Sequence, residues 1–127
     1  MRRAAFPILL LALVGCGGSN TLTAEQLEKQ VETIDSVAGE GSLLAGDVER
    51  GRTTEPFARI HSGDLSELAD STVEALDKLA PPGAEDARRR EEARAQAVAE
   101  ALAKLHSDPA DQRVAAQVRR DLERLAG

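Results

Sequence analysis

The sequence contains few side chains that could take part in catalysis or bind a metal ion. Its only histidines are His61 and His106, and its only cysteine is Cys16. A di-iron helical bundle needs Glu-x-x-His pairs, but Ala58 and Ala103 lie three residues before the histidines. The sequence also lacks a His-Glu-x-x-His pattern and a set of cysteines for zinc. We therefore predict no enzyme, no cofactor and structural roles for both histidines.

Five acidic residues recur every three or four positions and share one face of a predicted helix. This acidic stripe consists of Asp64, Glu67, Asp70, Glu74 and Asp77. The alternating acids around a glycine that form a calcium-binding loop are missing, so we expect the stripe to be solvated and to hold no metal. The alternative interpretation is a small-ligand or divalent-metal carrier centred on His61 and neighbouring acids.

The amino-terminal residues have the pattern of a signal peptide. Arg2 and Arg3 are basic, and an apolar stretch follows them from Ala4 to Val14. A helix needs about 20 apolar residues to span a membrane. The stretch is shorter than that and has the length of a signal-peptide hydrophobic region. The sequence therefore predicts a signal peptide at residues 1–15 and export of the remaining chain.

The apolar stretch ends in Leu13, Val14, Gly15 and Cys16. This order resembles the lipobox of bacterial lipoproteins, which is a leucine, a small or branched residue, a glycine or alanine, and a cysteine. The resemblance covers only the first 16 residues. It implies that Cys16 receives a diacylglyceryl group, that cleavage falls between Gly15 and Cys16, and that acyl chains such as palmitate anchor the protein. Two or three acyl chains hold a protein stably at a membrane where one does not.

A short polar segment follows the predicted anchor. Residues 16–22 are expected to form the lipidated cysteine and a flexible tether, and residues 23–127 the helical domain. In lipoproteins of two-membrane bacteria, an aspartate after the cysteine favours retention at the inner membrane. Here Gly17 occupies that position, so the resemblance implies an outer-membrane or outward-facing location in the cell envelope.

Composition and charge favour a helical domain and argue against nucleic-acid binding. Hydrophobic residues make up 42% of the chain and aromatic residues 2%, so alanine and leucine, which favour helices, must form most of the core. The formal net charge is -6, and removal of Arg2 and Arg3 with the signal peptide would make it -8. Such a domain repels phosphate backbones and anionic headgroups.

Two helices are predicted in the first half of the domain. Thr23 and Gln26 form a capping box for the first, which is expected to continue as one helix through several glycines to Gly51. The alternative is a kink or break near Gly39–Ser42. The second begins at Thr53 or Thr54 and stops at residues 81–83. Predicted buried positions in the first helix are Leu27, Val31, Ile34, Ala38, Gly41, Ala45 and Val48. Those in the second are Phe57, Ile60 or His61, Leu65, Leu68, Thr72, Leu76 and Leu79.

Two further helices are predicted in the second half. The third starts near Ala84, and the fourth is expected to start with Asp108 as the N-cap and Pro109 as its first residue. Their predicted buried positions are Val98, Leu102, Leu105, Ala115, Val118, Leu122 and Leu125. Short connections between consecutive helices make neighbours antiparallel. We therefore predict an all-α, up-down-up-down four-helix bundle, with dimerising helical hairpins as the alternative.

The charge distribution suggests which side of such a bundle would face a partner. Residues 25–78 contain 13 acidic and 5 basic residues, whereas residues 85–124 contain 9 of each. The expected function is that of a membrane-anchored interaction or structural module in the cell envelope. The acidic first pair of helices is the expected surface for an envelope protein.

Overall fold

The computed structural model describes residues 20–127, and these residues form a four-helix bundle. The helices are α1 (Ala24–Glu49), α2 (Glu55–Leu76), α3 (Glu85–Ser107) and α4 (Gln112–Leu125). The predicted all-α fold is confirmed. The predicted signal peptide and the residues of the lipobox lie outside the described part of the chain.

Helix α1 has the ends that the sequence predicted. The backbone N–H of Gln26 donates to the Thr23 hydroxyl at 3.1 Å, and the Thr23 N–H donates to the Gln26 side chain at 2.9 Å. Leu22 and Leu27 are both buried beside this cap. At the other end, Gly51 has a φ of 65°, and Arg52 donates to the carbonyl of Asp47 at 2.8 Å. These are the features of a Schellman motif. The helix is continuous through its glycines.

Two other helix ends differ from the prediction. Helix α2 begins after Thr54 as expected but ends at Leu76, because the following residues pair with another segment. Helix α4 was predicted to start at Asp108, and this is wrong. Its N-cap is Asp111, whose carboxylate accepts hydrogen bonds from the N–H groups of Arg113 at 2.9 Å and Val114 at 3.1 Å.

The residues before α1 are bonded to the connection between α2 and α3. Leu22 donates its N–H to the Leu79 carbonyl at 2.8 Å, and Leu79 donates to the Asn20 carbonyl at 2.8 Å. Leu22 is only 3% exposed. Asn20–Leu22, which the sequence analysis placed in the tether, thus lie against the folded domain. The start of α1 is thereby held beside the end of α2.

The helices pack most extensively as the pairs α2–α3 and α1–α4. Helix α1 also contacts α2 and α3, whereas α2 and α4, both fully within the described region, make no contact. The buried side chains are aliphatic, chiefly Ile34, Val37, Leu44, Leu76, Val98, Leu102, Leu105, Val118 and Leu122. The predicted buried faces of α1, α3 and α4 are largely confirmed, with Val31 and Leu125 half-buried.

The predicted buried face of α2 is confirmed at Leu65, Thr72 and Leu76 and wrong at its other positions, because the buried face is rotated about the helix axis. The side chains that α2 buries are Ala58, Ser62, Leu65, Ala69, Thr72 and Leu76. Four of these six are small, which allows α2 to lie close to α3. Phe57, Ile60 and Leu68, which were expected in the core, are exposed. Leu79 is also exposed and lies beyond the end of α2.

Candidate interaction surface

The acidic stripe lies on the outside of α2. Asp64, Glu67, Asp70, Glu74 and Asp77 are all exposed, which confirms that they share a solvated face. None of the ion pairs found within residues 20–127 involves these five carboxylates. Their negative charge is therefore available to a basic partner.

Two acids of α1 are neutralised by arginines from α3 and α4. Arg94 of α3 pairs with Asp35 of α1 at 2.5 Å, and Arg119 of α4 pairs with Glu49 of α1 at 2.6 Å. The hydrogen bond from Arg119 lowers the pKa of the Glu49 carboxyl. The five acids of α2, by contrast, stay without a paired arginine among the residues that the structure describes.

His61 joins α1 to α2. Its Nε2 atom lies 2.9 Å from a carboxylate oxygen of Glu40. Its ring stacks on Phe57, one turn earlier in α2, with 5.4 Å between the ring centres and 26° between the planes. The imidazole is half-buried. These contacts place His61 at the boundary of the core, as expected from the sequence.

His106 joins α3 to α2. Its Nδ1 atom lies 2.8 Å from the carbonyl oxygen of Arg59. A carbonyl oxygen only accepts hydrogen bonds, so Nδ1 carries the proton. A side chain at Gly63 would place its Cβ 3.0 Å from the His106 ring. Glycine at this position therefore lets the ring lie against α2.

The structure does not bring the two histidines and the acids into one metal-binding cluster. Within residues 20–127, no group of three or more histidine, cysteine, aspartate or glutamate side chains is arranged to hold an ion. His61 contacts Glu40, while the acidic stripe extends from Asp64 to Asp77 on the outer side of α2. The carrier interpretation stays a prediction.

Three exposed apolar side chains that sequence reasoning missed lie on α1 and α2, and the two on α2 precede the acidic stripe along the helix. Phe57 and Ile60 of α2 are 55% and 65% exposed, and Leu43 of α1 is 69% exposed. We refer to these three residues as the apolar patch. The signal that would have revealed it is the alternation of four- and three-residue steps among the small buried residues of α2, because this seam leaves Phe57 and Ile60 outside.

The predicted anchor residues, Gly15 and Cys16, precede the described region. Three residues, numbers 17–19, separate Cys16 from Asn20. Three residues reach about 10 Å when extended. No helix in the described region is long and apolar enough to cross a membrane.

Comparison with models of known protein families, with curated proteins and with solved structures finds no match to this chain.

Proposed function

We propose that this protein is an exported bacterial lipoprotein, anchored to a membrane of the cell envelope through acyl chains on Cys16. The observation that carries the proposal is the order Leu13, Val14, Gly15 and Cys16 at the end of a short apolar stretch. The thiol forms the thioether to the lipid, and small Gly15 gives the signal peptidase access to the peptide bond. Because Gly17 follows the cysteine, the proposed location is the outer membrane or the outward face.

We further propose that the helical bundle is a non-enzymatic interaction or structural module. The support is the uneven charge of its surface: the acids on the outside of α2 are exposed and unpaired, whereas those of α1 next to α3 and α4 are matched by arginines. An exposed surface of one charge favours encounter with a partner of the opposite charge. The proposed partner is a protein of the envelope.

The anchor is tested by intact mass spectrometry of the protein extracted from membranes. The expected polypeptide begins at Cys16 and carries the added mass of two or three acyl chains. Cys16→Ala should leave the chain uncleaved or release it from the membrane, whereas the matched control Ser19→Ala should change neither. An unmodified Cys16 thiol in the native protein, or retention of residues 1–15, would refute the anchor.

The interaction surface is tested by neutralising Asp64, Glu67, Asp70 and Glu74 with asparagine or glutamine. If this surface binds the partner, co-purification from the native membrane should fall strongly in the variant. Unchanged recovery of the bound proteins would remove the acidic stripe from consideration.

A further inference from the structure

We propose that the apolar patch binds a protein segment in which apolar side chains are flanked by lysine or arginine. The inference rests on the proposed function, because it specifies the partner of the proposed interaction module. The surface combines exposed Leu43, Phe57 and Ile60 with acids beside them, and the contact between α1 and α2 determines how these residues lie relative to one another.

The three apolar residues lie together because of the register between α1 and α2. The contact between Glu40 and His61 fixes this register at 2.9 Å. The two helices are antiparallel, so a step of three residues from Glu40 to Leu43 corresponds to a step back along α2 from His61 toward Phe57. Leu43 therefore lies across the helix–helix boundary from Phe57, and Ile60 follows Phe57 on the same face of α2.

Part of the patch is held in place before any partner arrives. The ring of Phe57 stacks on His61, and His61 is fixed in turn by Glu40. An aromatic side chain that is already ordered loses little conformational freedom on binding. Large exposed apolar residues beside charged ones are typical of protein-binding surfaces. The patch thus has the composition of a binding surface, and Phe57 already has a fixed conformation there.

The charges next to the patch select a basic partner. Asp64 lies one turn after Ile60, and Glu67 one turn after that; both are exposed. Glu40 and Asp47 lie on either side of Leu43 in α1, and Asp47 forms only an exposed pair with Arg50. A second copy of this chain would bring acids against acids. A segment with apolar side chains flanked by lysine or arginine would match both the apolar patch and the acids around it.

The position of the patch argues against a lipid surface as its occupant. The first described residue, Asn20, is hydrogen-bonded beside the start of α1. Leu43 is 19 residues beyond Ala24, which corresponds to about 28 Å along a helix that rises about 1.5 Å per residue. With the anchor at Cys16, the apolar patch lies toward the end of the bundle farthest from the membrane, and its acids would be repelled by anionic headgroups.

The test uses the full chain as expressed, purified in a mild detergent, and a library of random 16-residue peptides displayed on phage. We expect the enriched peptides to carry leucine or phenylalanine together with an excess of lysine and arginine. Their Kd should rise at least tenfold in Leu43→Gln and in Phe57→Gln. The matched control is Leu79→Gln, because Leu79 is equally exposed at 68% but lies at the opposite end of α2; its Kd should stay unchanged.

A second pair of variants tests the charge requirement. Asp64→Asn combined with Glu67→Gln should weaken peptide binding at least fivefold and reduce its dependence on salt. Glu100→Gln combined with Asp108→Asn removes the same charge from exposed positions outside α2 and should leave binding unchanged. Circular dichroism of each variant separates loss of binding from loss of fold.

Four outcomes would overturn the inference. Enriched peptides without basic residues, or binding that is indifferent to Leu43 and Phe57, would show that the patch does not select this partner. A dimer in sedimentation that Leu43→Gln dissociates would assign the patch to a second copy. A Cys16→Ala chain that floats with anionic vesicles only when Leu43 is present would assign it to lipid. The proposed lipid anchor is tested independently, because the intact mass of the protein shows whether Cys16 carries acyl chains.

Discussion

Glu85 gives the clearest pH-dependent interaction of a single residue. Hydrogen bonds from Arg88, at 2.8 and 3.2 Å, lower the pKa of the Glu85 carboxyl from 4.5 to about 2, and Arg89 adds a further bond at 3.1 Å. Because the pKa is lower in the folded state, this interaction stabilises the fold fully above pH 4.5 and is lost as the pH falls through about 2. A carboxyl NMR titration of the folded chain should therefore place the Glu85 midpoint near pH 2.

The two arginines provide a matched comparison for this titration. Arg88→Met should raise the Glu85 midpoint more than Arg89→Met, because Arg88 makes two bonds to the carboxylate and is the less exposed partner. A midpoint near 4.5 in the unsubstituted chain, or no response to Arg88→Met, would contradict the assignment.

At the scale of an element, the start of α4 distinguishes the structure from the sequence-based prediction. Asp111 accepts two backbone hydrogen bonds as the N-cap, so Asp111→Ala should lower the free energy of unfolding by about 1 kcal/mol. Asp108, the cap predicted from the sequence, precedes the helix, and Asp108→Ala should change stability little. Urea unfolding of the two variants measures this difference, and an equal or larger loss for Asp108→Ala would contradict the observed start of α4.

Helix α1 contains two glycines with opposite surroundings. A Cβ at Gly39 would meet no atom within 4 Å, whereas a Cβ at Gly41 would lie 2.8 Å from Leu102 and 2.9 Å from Leu122. Gly39→Ala should raise the free energy of unfolding by about 1 kcal/mol, because alanine favours the helix. Gly41→Ala should lower it by about 1 kcal/mol, because the added methyl would force both fully buried leucines to shift within the core.

Thermal and urea unfolding of both variants compare these effects directly. Gly39→Ala serves as the control for helix propensity, so the difference between the two variants isolates the packing at Gly41. Equal stabilisation by the two substitutions would show that α1 does not approach α3 and α4 as closely as the structure has it.

The ends of α1 and the buried faces of α1, α3 and α4 could be predicted because their signals are local or periodic. The capping box at Thr23 and the positive φ of Gly51 fix the two ends of α1 through contacts within a few residues. Large aliphatic side chains identify the buried faces of α1, α3 and α4. The face of α2 could be predicted only in part by the same rule, at Leu65, Thr72 and Leu76. Its position depends on how closely α3 approaches, and small residues such as Ala58 and Ala69 allow that approach while larger ones remain outside.

The same distinction applies to the candidate site. The acidic stripe was predicted because its spacing is a property of α2 alone. The apolar patch was missed because it needs the rotation of α2 and the position of Leu43 on α1, both of which are set by packing. The predicted anchor, by contrast, depends only on consecutive residues that end at Cys16.

At the scale of the whole molecule, Arg94 connects three of the four helices. It extends from α3 to Asp35 on α1 and donates to the carbonyl of Leu125 at the end of α4, at 2.9 Å. Burial alone would lower the pKa of its guanidinium, but the hydrogen bonds to Asp35 and Glu91 outweigh it and raise the pKa. The side chain is 16% exposed, so solvent screens these bonds less than those on the surface.

Removal of this connection should weaken the assembly of the bundle rather than one helix. Arg94→Met keeps most of the apolar stem but leaves the carboxylate of Asp35 and the carbonyl of Leu125 without their shared donor, and we expect a loss of about 2 kcal/mol in the free energy of unfolding. Hydrogen exchange should increase in α1 and α4 as well as in α3.

The control is Arg124→Met, because Arg124 is 74% exposed and pairs only within α4; its effect should stay within about 0.5 kcal/mol. Equal losses for the two variants would mean that the connection among the three helices contributes no more than a surface ion pair.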